Sequence, residues 1–107
     1  MKNALLCLVL LAGVVNASAG NPTITISPSP IALASGGTQE FTAAFSDGSQ
    51  IQSCSWMTTG TLNAIQGVGA NSAIFAAGTL KATYVVTASC RNVNGTEAMG
   101  IAVVAVR

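Results

Sequence analysis

From residue 23 onward, apolar and polar positions alternate in short runs; they do not recur at helical spacing. Residues 23–27 place Ile24 and Ile26 on one side. Residues 38–46 place Phe41, Ala43 and Phe45 on one face, with Glu40 and Thr42 on the other. Residues 52–57 put Cys54 and Trp56 on a shared face. The clearest run is 83–90, with Tyr84, Val86, Ala88 and Cys90 opposed to Val85, Thr87 and Ser89. A period of two predicts β-strands with one buried face. Shorter strands are predicted over 31–34 and over 71–76, the latter with Ile74 or Phe75 inward. Residues 58–69 are rich in Gly and Asn and read as a loose strand or loop, with Leu62 and Ile65 as inward candidates. The last run, 98–106, is apolar on both faces. Alternation leaves its inward register open. With few charges and no proline to protect it, this apolar strand is the expected docking edge for a partner by strand addition.

Turn residues punctuate these runs about every ten positions: Pro28 and Pro30, Gly36-Gly37, Asp47-Gly48, Gly78-Thr79 and Asn94-Gly95. Neither proline can donate to a ladder, so both blunt a sheet edge. Short strands at this spacing, with no amphipathic helix between them, predict an all-β sandwich.

The start of the chain follows different rules. Lys2 precedes an apolar stretch over 4–15, and Ala17-Ser18-Ala19 is a small-x-small cleavage site. That pattern predicts an export signal over residues 1–19 and one domain over 20–107. The stretch is shorter than the roughly 20 residues a spanning helix needs, so no membrane span is expected after cleavage. Taking 19 from 107 leaves 88 residues, enough for one small domain. The expected compartment is outside the cytoplasm: periplasm, cell surface or medium.

Export changes the reading of the cysteines. Cys7 leaves with the signal, and Cys54 and Cys90 remain as an even pair. An even pair in an exported domain predicts a disulfide. If the two strands are antiparallel neighbours with Cys54 opposite Cys90, Trp56 falls opposite Ala88, a large ring against a small side chain.

Charge narrows the function classes. Lys81, Arg91 and Arg107 balance Glu40, Asp47 and Glu97 in the exported part. A neutral chain without a basic stripe does not predict nucleic-acid binding. The chain has no histidine, which removes the commonest general base and neutral metal ligand. The three carboxylates fall on a strand face, a turn and a hairpin, so no acid–base pair is expected. Serine and threonine nucleophiles would lack a base. No catalytic, cofactor-binding or metal-binding residue is therefore assigned. Phe41, Phe45, Trp56 and Tyr84 are assigned to the core rather than to an exposed sugar platform, with Tyr84 a core or corner residue and the Trp56 indole N–H satisfied by a neighbour.

Several segments together resemble a known family. These are residues 23–27, then Gly36-Gly37-Thr38-Gln39-Glu40-Phe41-Thr42-Ala43, then Trp56, then Tyr84-Val85-Val86-Thr87-Ala88. In this order they are similar to the bacterial immunoglobulin-like domain, group 2. The resemblance implies an immunoglobulin-like Greek-key β-sandwich of about seven strands, used as a non-enzymatic module of exported and cell-surface proteins, adhesins among them. An envelope protein or a surface glycan is the partner it implies. A small secreted module that binds a carbohydrate or protein ligand is the alternative. Two features depart from the family. The cysteine pair would brace one sheet instead of joining the two. The chain also carries one copy of a module that usually occurs in tandem.

Overall fold

A computed structural model describes residues 22–107. The signal expected over 1–19, its cleavage site and Cys7 lie outside the described residues. Eight strands follow in order: β1 Ile24–Ser27, β2 Ile31–Leu33, β3 Thr38–Phe45, β4 Ile51–Thr58, β5 Ala64–Gly67, β6 Ser72–Ala76, β7 Thr83–Asn92 and β8 Glu97–Val106. They form two four-stranded sheets, β1-β3-β6-β5 and β2-β8-β7-β4. The strand order is compatible with an immunoglobulin-like Greek key, in which the first, second, fifth and fourth strands oppose the third, sixth and seventh.

The first strand is split between the sheets. β1 pairs antiparallel with β3, whereas β2 pairs parallel with β8. Pro28 and Pro30 lie between them, where neither sheet needs an amide from them. Ser29 serves the crossing, because its Oγ accepts the Val103 N–H at 3.0 Å.

The inward faces meet as alternation predicts. Ile24, Ile26, Phe41, Ala43, Phe45 and Phe75 of the first sheet pack against Tyr84, Val86, Ala88 and Cys90 of the second. Phe41 and Phe75 are fully buried and meet edge to face, with ring centroids 6.3 Å apart. That geometry is worth about 0.5–1.5 kcal/mol beyond area burial.

Where alternation was ambiguous, packing settles it. In β8, Ala102, Val104 and Val106 turn inward, and Met99 and Ile101 turn outward. In β6, Phe75 is the inward residue and Ile74 the outward one. Ile65 in β5 packs on the core, but Leu62 is exposed. β4 begins with an irregularity: its register on β7 shifts between Ile51 and Ser53, so Ile51 and Cys54 both face inward although three positions apart. The reading of the last strand as a docking edge is overturned, since β8 lies between β2 and β7.

Two hairpin devices close the end of the molecule near residue 95. Gly95 adopts φ 89°, a left-handed conformation that costs glycine little. Asn92 is buried, and its Oδ1 accepts the N–H groups of Asn94 and Thr96 at 3.0 and 2.9 Å.

Candidate functional site

Cys54 and Cys90 are joined by a disulfide across β4 and β7, with Cα atoms 4.0 Å apart. The register also pairs Trp56 with Ala88. Both strands belong to one sheet, so the bridge braces that sheet. Cys90 is buried and Cys54 half-buried. Trp56 packs against the core but is itself half-buried. Its Nε1 is buried and finds no acceptor among the described residues, contrary to the expectation of a satisfied indole.

Phe41, Phe45 and Tyr84 are buried. Tyr84 also acts as a corner: its hydroxyl donates to the Leu80 carbonyl at 2.7 Å and ties the start of β7 to the preceding turn. A tyrosine placed this way is a hallmark of immunoglobulin-type sandwiches.

Among the described residues the ionisable groups do not converge. Glu40 is exposed on the outer face of β3, and Asp47 sits in the β3–β4 turn. Glu97 pairs with Arg91 at the β7–β8 hairpin, with both side chains largely exposed. Among the described residues, no three histidine, cysteine or acidic side chains group as a metal site. The hydroxyl of Ser49 donates to Asp47 Oδ1 at 2.7 Å, and the Ser49 N–H at 2.9 Å. Together they hold the carboxyl below its ordinary value of 3.8.

Two surfaces remain as candidates. One is a cleft of about 350 Å³ at the end of the sandwich that holds the β3–β4 turn. Phe45 and Ile51 contribute apolar surface to it, and Ser49, Gln50 and Asn71 contribute polar groups. The Asn92 Nδ2 donates to Ser49 Oγ at 3.0 Å, so the β7–β8 hairpin fixes one wall.

The other candidate is the outer face of the β2-β8-β7-β4 sheet. That of the first sheet presents Thr25, Thr38, Glu40, Thr42 and Gln66 to solvent, with Ile74 as an apolar exception. That of the second presents Met57, Met99 and Ile101, exposed by 67%, 63% and 60%, with half-buried Val85 and Val103 beside them, and its half toward the β7–β8 hairpin is polar, with Ser53, Ser55, Ser89, Arg91 and Glu97. Register makes these residues neighbours: Met57 lies opposite Thr87, Thr87 opposite Ile101, and Val85 opposite Val103. The sequence reading missed this face because both sides of β8 are apolar. Asn92 was missed too, since one asparagine near a hairpin carries no signal of burial.

No family model matches the chain, and no curated protein matches it. Solved structures do. The fold is similar to domains 4 and 5 of the S-layer protein SbsC, with TM-score 0.55 and 18% identity over 86% of this chain and 55% of that one. It is also similar to a nucleoside hydrolase-related hypothetical protein from Saccharophagus degradans that is associated with carbohydrate metabolism. There the TM-score is 0.55 and the identity 14%, over 82% of this chain and 26% of that one. The chain thus spans about half of one neighbour and about a quarter of the other, and the likeness is one of fold.

Proposed function

We propose that this chain is a non-enzymatic, exported immunoglobulin-like module of the bacterial group 2 kind, with a structural or interaction role at the cell surface or in the periplasm. The carrying observation is the cluster of exposed Met57, Met99 and Ile101 on the outer face of the sheet braced by Cys54–Cys90, a face whose half toward the β7–β8 hairpin is polar, with Ser53, Ser55, Ser89, Arg91 and Glu97. An exposed apolar patch on a small domain marks a surface that meets another molecule. The disulfide suits an oxidising compartment. The Tyr84–Leu80 corner and the strand order support the immunoglobulin-like assignment. The fold similarity to domains of an S-layer protein is compatible with a surface setting.

Fractionation of cells producing the tagged full chain, followed by crosslinking, tests this reading. The expected result is an oxidised protein in the envelope fraction, crosslinked in stoichiometric amount to an envelope component or to itself. Reduced protein retained in the cytosol would count against it.

The cleft beside Ser49 and Asn71 favours a second reading, a small secreted ligand-binding module. Its volume lies within the range of small-ligand sites. Saturable binding of a soluble glycan, lost on Gln50→Ala, would select that reading over the first.

A further inference from the structure

We propose that Asn94, at the tip of the β7–β8 hairpin, is an acceptor for an N-linked glycan. The sequence supplies the pattern: an asparagine with Ser or Thr two positions on and any residue but proline between. Asn94-Gly95-Thr96 fits it. Asn16-Ala17-Ser18 fits as well, but it belongs to the segment expected to leave with the signal. Asn21-Pro22-Thr23 is excluded by its proline.

The fold sets Asn94 apart from the other asparagines of the sandwich. Asn63 accepts the Gly78 N–H and donates to the Thr59 carbonyl. Asn71 donates to the Ala43 carbonyl. Asn92 is buried, with both ends of its carboxamide bonded. None of these three has a hydroxyl residue two positions on. Asn94 has one, is exposed, and its carboxamide makes no hydrogen bond among the described residues.

The hairpin does not need the two side chains that the pattern requires. Asn92 Oδ1 accepts the N–H groups of Asn94 and Thr96, and the Gly95 N–H closes the turn on the Asn92 carbonyl at 3.0 Å. Gly95 supplies the left-handed φ. Turn chemistry therefore accounts for Asn92 and Gly95 and leaves the Asn94 carboxamide and the Thr96 hydroxyl unused. The tip also stands clear of the rest of the fold: a Cβ at position 95 would meet nothing within 4 Å. A bulky, solvated glycan and the enzyme that attaches it both need that room. Val93, 55% exposed beside Asn94, offers apolar surface to the first sugar ring.

The co-substrate is an oligosaccharide carried on a lipid diphosphate, met as the chain leaves the cytoplasm. The Asn94 Nδ2 attacks C1 of the first sugar. The C1–O bond breaks, and the lipid diphosphate leaves with its electron pair. Nδ2 gives one proton to a base of the transferase, and the new N–C1 bond remains. Thr96 is unchanged; its hydroxyl is the group that the transferase reads.

Intact-mass spectrometry and glycopeptide mapping of the full-length gene product, purified from the cells that make it, test the assignment. The expected result is a form heavier by a set of sugar residues, with the glycan on the peptide that holds Asn94. Asn94→Gln and Thr96→Ala are each expected to lose it completely, whereas Thr96→Ser keeps it. That split reports recognition of a hydroxyl, and near-UV circular dichroism reports folding in every variant. A chain with its signal removed and Asn94 bare overturns the proposal, as does a glycan that survives Asn94→Gln. The proposal rests on the export reading, and the two failures are distinguishable. An uncleaved chain held in the cytosol removes both, whereas a cleaved, folded chain without a glycan removes the acceptor site alone.

Discussion

Gly100 of β8 lies against the backbone of Ile24 in the opposite sheet. A Cβ at position 100 would run into the Ile24 carbonyl oxygen and sit 2.8 Å from its Cγ2. The contact falls where β1 crosses β8 before the chain changes sheets at Pro28–Pro30. A backbone carbonyl cannot swing aside as a flexible side chain can. Gly100→Ala is therefore expected to destabilise by about 1–3 kcal/mol, the cost of overpacking. For a domain of this size that lowers the melting temperature by roughly 5–20 °C. A thermal melt that matches wild type would show that β1 can lift off β8 freely.

Tyr84 makes a separable contribution. Its ring is buried with the core, and its hydroxyl reaches the Leu80 carbonyl at 2.7 Å. Tyr84→Phe keeps the ring and deletes the bond. The expected loss is about 1 kcal/mol, the net value of one intramolecular hydrogen bond. The urea midpoint should fall while the denaturant slope stays constant, since the surface exposed on unfolding hardly changes. A loss above about 3 kcal/mol would mean that the corner positions β7 as a whole.

Much of this architecture is legible in the chain because period-two alternation is strong where a strand has one wet face. Phe41, Ala43 and Phe45 in β3 show it, as do Tyr84 to Cys90 in β7. The Cys54–Cys90 and Trp56–Ala88 pairings follow from a single register, and the structure has that register. What resisted reading has physical causes. β8 carries apolar residues toward the core and also toward solvent, so no local pattern separates Ile101 from Ala102. Ile51 faces inward through a register shift, which breaks the alternation that would have revealed it. The exposed Met57, Met99 and Ile101 cluster and the loop-end cleft each combine residues from distant strands. Neither is visible until β4, β7 and β8 lie side by side, or until residues 43–51 meet 70–71.

The disulfide links positions 36 apart in sequence but adjacent in one sheet. Its main effect is on the unfolded chain, where closing a loop of that length removes entropy worth roughly 4 kcal/mol. The ladder between β4 and β7 already holds the two strands together in the folded state. Cys54→Ala combined with Cys90→Ala is therefore expected to keep the sandwich and lose about 2–4 kcal/mol. Its urea slope should steepen, because an uncrosslinked unfolded chain is less compact and exposes more surface. Urea unfolding read by Trp56 fluorescence checks both effects. A double variant that is unfolded without urea would mean that the bridge holds β4 in the sheet.

Asp47 gives the fold an acid-sensitive turn. The Ser49 hydroxyl and the Ser49 N–H both donate to its Oδ1, so the folded carboxyl titrates below its ordinary 3.8. A group whose folded value is depressed stabilises the native state above its unfolded value. That contribution is complete above pH 3.8 and disappears as pH falls through the lower, folded value. Asp47→Asn cannot ionise, so its stability should fall less steeply on acidification than that of wild type, and the two curves should converge at the acid end. Following the Asp47 side-chain carboxyl by NMR separates this turn from Glu40 and Glu97. Its midpoint is expected below 3.8 in wild type and nearer 3.8 in Ser49→Ala, which deletes the hydroxyl but leaves the backbone N–H. If Ser49→Ala left the midpoint where it was, the hydroxyl would not be the principal cause. The backbone turn itself would then carry the effect.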